Sequence, residues 1–182
     1  MINLIKIIKY FLQFVIISLL LLLYKILGLK ISRFISAKIF TFIGPFFRSN
    51  IITLANIDRA FPGKDKNFKK KITDEMWLMY GKILAEYNFI RAFGEKQFIE
   101  KIEVEGHQEL EKIKNSNEPV IFVSGHFDNF ELMAMYIEKS GINLATIYRP
   151  LNNSFLNPIM ENIRKKYICR NQIKKGISGT KE

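Results

Sequence analysis

Residues Tyr10 to Tyr24 run uncharged and almost wholly apolar (YFLQFVIISLLLLLY), with Lys6 and Lys9 before them and Lys25, Lys30, Arg33 and Lys38 after. Fifteen residues of helix reach about 22 Å, short of the ~30 Å hydrocarbon core of a bilayer. Snorkelling by Lys9 and Lys25 extends that reach by several residues. The run therefore stands between a short membrane span and a deep interfacial anchor. A cleaved signal peptide would share the basic start and apolar middle, but YKILGLK comes next in place of a small-residue cleavage site. An uncleaved anchor is the better reading. The cations on its C-terminal side favour a cytoplasmic location for the rest of the chain, although Lys6 and Lys9 weaken the asymmetry.

The charge supports a membrane role for this end. The 182 residues carry a formal +11, and the first 50 hold 7 of the 28 Lys/Arg and no acid. Cations clustered around apolar helices suit anionic lipid. They do not suit nucleic acid, which calls for basic strands with interleaved aromatics. Ile31 to Phe47 (ISRFISAKIFTFIGPFF) repeats Phe34, Ile35, Lys38, Ile39 and Phe42 at helical spacing. It reads as an amphipathic helix on a membrane surface or as a core helix of the adjoining domain. Hydrophobic content of 48% argues against disorder, and a lone Cys169 excludes an intramolecular disulfide. Cys169 has a basic neighbourhood that would lower its pKa, but a plain structural role is the stronger reading.

Beyond residue 50 the pattern changes. Pro62-Gly63 marks a turn after NIDRAF. A helix is expected over Asp65 to Phe93, from the spacing of Phe68, Ile72, Met76, Met79, Ile83, Tyr87 and Ile90, with Gly94 as its stop. From Ile102 strand and helix alternate. A short strand is expected at Ile102–Glu105 and a charged helix at His107–Asn115. PVIFVS (Pro119–Ser124) reads as a buried strand, Asp128–Lys139 as a helix ended by Gly141, and Asn143–Tyr148 as a second strand. Asn157-Pro158 opens a helix through about Lys166. This order implies an α/β fold with parallel β-α-β units.

Reactive groups in such sheets gather beyond the carboxyl ends of strands. His126 comes after the strand ending at Ser124, and Arg149 after the strand ending at Tyr148. If Glu131 lies in the first helical turn, the chain folds back and the H-x4-E pair meets. A carboxylate on one ring nitrogen raises the basicity of the other, giving a general base that needs no protein nucleophile. Arg149 or Arg164 then suits an anionic group or an oxyanion. H-x4-E also fits a plain surface histidine near a helix start, with Glu131 favouring the helix dipole. His126, Asp128 and Glu131 together would offer a metal only one nitrogen, so no metal site is expected. His107 reads as a solvated helix residue. GISGTK (176–181) lacks the spacing of a phosphate loop.

Several motifs fall into one order: Asn56-Ile57…Phe61-Pro62, Gly81…Glu86, Ser124-Gly125-His126-Phe127…Glu131, and Tyr148-Arg149-Pro150…Asn157-Pro158…Arg164. With them the chain resembles the lipid A biosynthesis (lauroyl/myristoyl) acyltransferases, within the wider lysophospholipid and glycerolipid acyltransferase superfamily, from the N-terminal anchor to about Lys175. The resemblance implies N-terminal membrane-anchoring helices (1–50) and then a partial acyltransferase-type sheet (51–182). It implies a bacterial inner-membrane enzyme whose catalytic part faces the cytoplasm. Such an enzyme moves a fatty acyl group from acyl carrier protein, or acyl-CoA, to a hydroxyl of a lipid A precursor, an anionic glycolipid. No cofactor beyond the donor is expected. By this likeness His126 is the general base and Glu131 its orienter, while Arg149 and Arg164 bind acceptor phosphate or oxyanion. Members of that family are longer, so the chain is expected to be truncated and to have little or no transferase activity alone. The alternative is a non-catalytic membrane-associated remnant, or one piece of a split protein.

Overall fold

The computed structural model describes residues 4–47, 49–95, 102–116 and 118–176. Its most prominent element is a helix, α1 (Leu4–Phe47), interrupted at Gly28, where φ is 75° and ψ is 166°. Only glycine adopts that geometry without strain, so the break falls where a Cβ is missing. The Ser32 hydroxyl lies 2.9 Å from the Tyr24 carbonyl and 2.7 Å from that of Gly28, and so covers carbonyls at the break. The stretch before Gly28 reaches about 36 Å at 1.5 Å per residue, longer than the uncharged run by itself. Among the described residues this is the one helix long and apolar enough to cross a membrane.

The chain divides into two compact units, Leu20–Phe89 and Met1–Leu19 with Ile90–Glu182. In the first unit the later half of α1 packs on α3 (Lys66–Tyr87). The contact is made by small residues. Ser36 Oγ donates to the Gly81 carbonyl at 2.6 Å, and a Cβ at Gly81 would lie 2.4 Å from the Ser36 carbonyl oxygen. A Cβ at Gly44 would lie 2.2 Å from the Trp77 ring. The buried face of α3 is therefore Trp77, Gly81 and Ala85, one residue per turn. The Phe68–Ile90 spacing pointed to larger side chains, and most of those are half-buried. Arg33 Nε meets buried Glu86 at 2.9 Å. Helix α2 (Asn50–Ala60) extends up to the expected turn, and Phe61 packs edge-on against Phe68, centroids 5.4 Å apart. Asp65 caps α3 by accepting from the Phe68 amide at 2.8 Å.

In the second unit α4 (Ile90–Phe93) ends before Gly94, as expected, although Asn88 and Phe89 separate it from α3. The charged helix appears as α5 (His107–Ser116), and α6 spans Glu131–Lys139 with Gly141 at φ 92° just past its end. Strand β1 (Ala145–Tyr148), helix α7 (Asn157–Tyr167) and strand β2 (Asn171–Lys174) form a parallel β-α-β unit, with Ala145 opposite Asn171 and Tyr148 opposite Lys174. The α/β expectation holds in this form: among the described residues, mostly helix with a two-stranded parallel sheet. The parallel pair lies one unit later than expected. Ile102–Val104 and Pro119–Ser124 form no strand. PVIFVS has the composition of a strand but no ladder partner among the described residues, and Ile121 and Val123 are 89% and 91% exposed. Ile90, Met135, Ile168 and Cys169 form the apolar core of this unit, with Phe93, Leu132, Leu144 and Tyr167 packed against it. Burial pushes the Cys169 thiol pKa up, and its Sγ donates to the Leu144 carbonyl at 3.1 Å, consistent with a structural cysteine. Of 176–181 only Gly176 falls within the described residues.

Candidate active site

The loop Gly125–Phe130 links the exposed PVIFVS segment to α6. Asp128 turns it with a φ of 44°, a left-handed conformation that Asp tolerates better than most side chains. The turn carries Glu131 into the first residue of α6, where it is buried. His126 stays exposed, its ring 4.2 Å from that of Phe130. The spacing suggested a contact between His126 and Glu131, but the side chain that meets Glu131 is Arg164. Arg164 donates to Glu131 Oε1 through Nε at 2.8 Å and Nη2 at 2.5 Å. Both side chains are largely shielded, so each charge answers the other. The macrodipole of α6 adds to the favourable field on Glu131.

Arg164 also stands over the Tyr148 ring at 5.8 Å. Tyr148 Oη donates to Glu161, which also accepts from Asn157 Nδ2 at 2.9 Å and meets Lys174 Nζ at 3.3 Å. These bonds, that of Tyr148 foremost, hold the Glu161 pKa below the usual carboxylate value. The start of α6, the end of β1, two turns of α7 and β2 are thereby joined through charged and polar groups. Tyr148, Asn157 and Arg164 belong to motifs visible in the sequence. Glu161 does not, and its i+4 spacing from Asn157 was the available signal.

The loop after β1 is fixed separately. Buried Asn153 donates to the Tyr10 carbonyl at 2.9 Å and to Gln13 Oε1 at 3.2 Å, and its Oδ1 accepts from the Phe155 and Leu156 amides. Phe155 lies against Phe11 and Phe14, centroids 5.7 and 6.0 Å away. Arg149, the first residue of that loop, is exposed. Of the four candidate residues, the described contacts join Glu131 to Arg164 and leave His126 and Arg149 facing solvent. His107 is exposed too, with Nδ1 3.1 Å from Tyr136 Oη.

A family model described as bacterial lipid A biosynthesis acyltransferase matches residues 3–175, a span that includes all four candidates. The chain belongs to that family. It is 22% identical over 114 residues to the lipid A biosynthesis myristoyltransferase of Escherichia coli (strain K12), covering 63% of this chain and 35% of that protein. It is 22% identical over 112 residues to lipid A biosynthesis acyltransferase 2 of Shigella flexneri, covering 62% of this chain and 36% of the relative. The matched stretch thus spans about a third of the length of these curated relatives. No solved structure matches significantly.

Proposed function

We propose that the chain is part of an enzyme that transfers a fatty acyl group from a thioester donor to a hydroxyl of a lipid A precursor. The observation that carries this reading is the family match over residues 3–175 with His126 inside it, exposed on the loop before α6. His126 takes the proton of the acceptor hydroxyl as its oxygen attacks the thioester carbonyl. The new C–O ester bond forms, the C–S bond breaks, and the proton passes to the leaving thiolate. Glu131 is the carboxylate that orients His126 when the acceptor is bound, and Arg164 fixes Glu131 in place. Arg149, exposed past β1, suits the acceptor phosphate or the developing oxyanion.

The donor is acyl carrier protein or acyl-CoA, both acidic, and the acceptor is an anionic glycolipid. A basic chain with an apolar α1 suits both. In this reading residues 1–50 seat the protein in the bacterial inner membrane, and residues 51–182 belong to an acyltransferase domain on the cytoplasmic face. The test is His126→Ala in the full-length protein. Transfer of a labelled acyl chain to a lipid A precursor should fall about 10²- to 10⁴-fold, with membrane association unchanged. Undiminished transfer would sink the role of His126. Failure of the unmodified protein to transfer would favour the non-catalytic remnant.

A further inference from the structure

Within the unit Leu20–Phe89, a groove of about 1030 Å³ runs between the second half of α1 and α3. Its walls combine two chemistries. Leu29, Phe34 and Leu78 supply apolar surface, and Phe34 is exposed. Lys30, Lys38 and Lys82 supply charge. The other cations of the lining are answered. Arg33 meets Glu86, Lys70 meets Asp74 at 2.5 Å, and Lys71 meets Glu75 at 3.9 Å. Asp74 and Glu75 are the acids of the lining, and both are taken up by these pairs. Lys30, Lys38 and Lys82 have no carboxylate partner among the described residues, and Lys38 lies over the Phe34 ring at 5.8 Å. Lys30 and Lys38 stand about 12 Å apart along α1, two helical turns on one face. Beyond them the same helix exposes Phe42 and Phe46.

Three unanswered cations beside apolar walls are complementary to an anion with a hydrocarbon tail. A free phosphate would leave the apolar walls unused, and a nucleic acid would use the charge alone. We infer that this groove binds an anionic phospholipid, its phosphate among Lys30, Lys38 and Lys82 and its acyl chain along Phe34 and Leu78. The site is separate in sequence from the residues assigned to acyl transfer. The inference deepens, and rests on, the reading of α1 as a membrane helix. The lipid would brace α1 against α3 at the membrane surface, where anionic headgroups attract lysines.

The experiment uses the full chain in a neutral detergent, with retained phosphatidylglycerol read by native mass spectrometry. The wild type should retain phosphatidylglycerol at least tenfold better than phosphatidylcholine. Lys30→Gln/Lys38→Gln/Lys82→Gln should lose that preference, and the matching Lys→Arg triple should keep it. A control that removes equal charge elsewhere on α1, Lys6→Gln/Lys9→Gln/Lys25→Gln, should behave as wild type. Retention by the groove triple equal to wild type would overturn the proposal, as would an equal loss in the control. Displacement of the lipid by millimolar inorganic phosphate would make the groove a free-phosphate site and overturn the lipid assignment. Flotation on vesicles reads α1 separately. A chain that floats on neither neutral nor anionic vesicles refutes the membrane reading, whereas a groove triple that floats but still prefers phosphatidylglycerol refutes the groove alone.

Discussion

The two units hold themselves together by different means. In Leu20–Phe89 the contacts are close-packed and made by what is missing: Gly81 and Gly44 let α1 and α3 approach until no Cβ fits. The unit containing Ile90–Glu182 also has a small apolar core, around Ile90, Met135 and Ile168, but its elements are tied together by charged and polar groups, from Glu131 and Arg164 through Tyr148 to Glu161. A helix satisfies its own backbone, so it needs only a face to pack. A strand and a buried carboxylate each need a partner from elsewhere in the chain. The second unit should therefore fail when one partner is removed, and the first when an atom is added.

The largest effect should come from Arg164→Met. It preserves bulk but leaves Glu131 buried without its guanidinium, a loss of about 3–5 kcal/mol. Hydrogen exchange at the Lys175 amide, which donates to the Tyr148 carbonyl at 2.9 Å, reports on this unit. Exchange there should accelerate sharply while amides of α3 stay protected. Equal acceleration in both units would break the contrast. A Glu131→Gln/Arg164→Met double variant should recover part of the loss, because the buried charge goes with its partner.

Gly81→Ala is the converse experiment and should cost about 1–3 kcal/mol by overpacking, since the added methyl meets backbone and not the end of a flexible side chain. The measurement is the denaturation midpoint in detergent, tracked through Trp77, the sole tryptophan of the chain. A neutral or stabilising result would mean that α1 and α3 separate freely, and the distinction between the units would weaken.

What was legible in the sequence divides along the same line. Gly94 and Gly141 as stops, and Asn157-Pro158 as a helix start, act within one turn of chain, and the structure uses each. The helix after His126 was legible for the same reason, although it begins at Glu131 and not at Asp128. The partner of Glu131 was not, since Arg164 lies 33 residues away. The strand Asn171–Lys174 was missed because NQIK has little apolar character, and its ladder depends on β1. The buried face of α3 was misjudged because counting large side chains overlooks a helix that packs through glycine and alanine.

A smaller effect should come from Tyr148→Phe, about 1.5 kcal/mol for a hydrogen bond to a charged group. It also predicts a pH dependence. Glu161 has a folded pKa below its unfolded value, so its stabilising share is full above the unfolded value and is lost as pH falls through the folded one. Removing the Tyr148 hydroxyl, the main cause of the depression, should raise the folded pKa and shrink the acid-sensitive share. Wild type and variant should then converge in stability at low pH and differ most near neutrality. A constant difference across pH would mean that the Tyr148 hydroxyl stabilises the unit independently of the charge on Glu161.

The smallest effect should be at Val123, and it tests the comparison most directly. A valine in a paired, buried strand loses about 1–3 kcal/mol or more when a polar residue replaces it, through lost burial and an unsatisfied group. Val123 is 91% exposed. Val123→Thr keeps the β-branched shape and should change stability by no more than about 0.5 kcal/mol, the range of surface sites. Replacing Met135, a core residue on the buried face of α6, by Thr should cost several-fold more. A cost at Val123 matching that at Met135 would mean that PVIFVS is paired and covered in solution, so that the second unit has a strand beside β1 and β2 and a larger packed core than its present one.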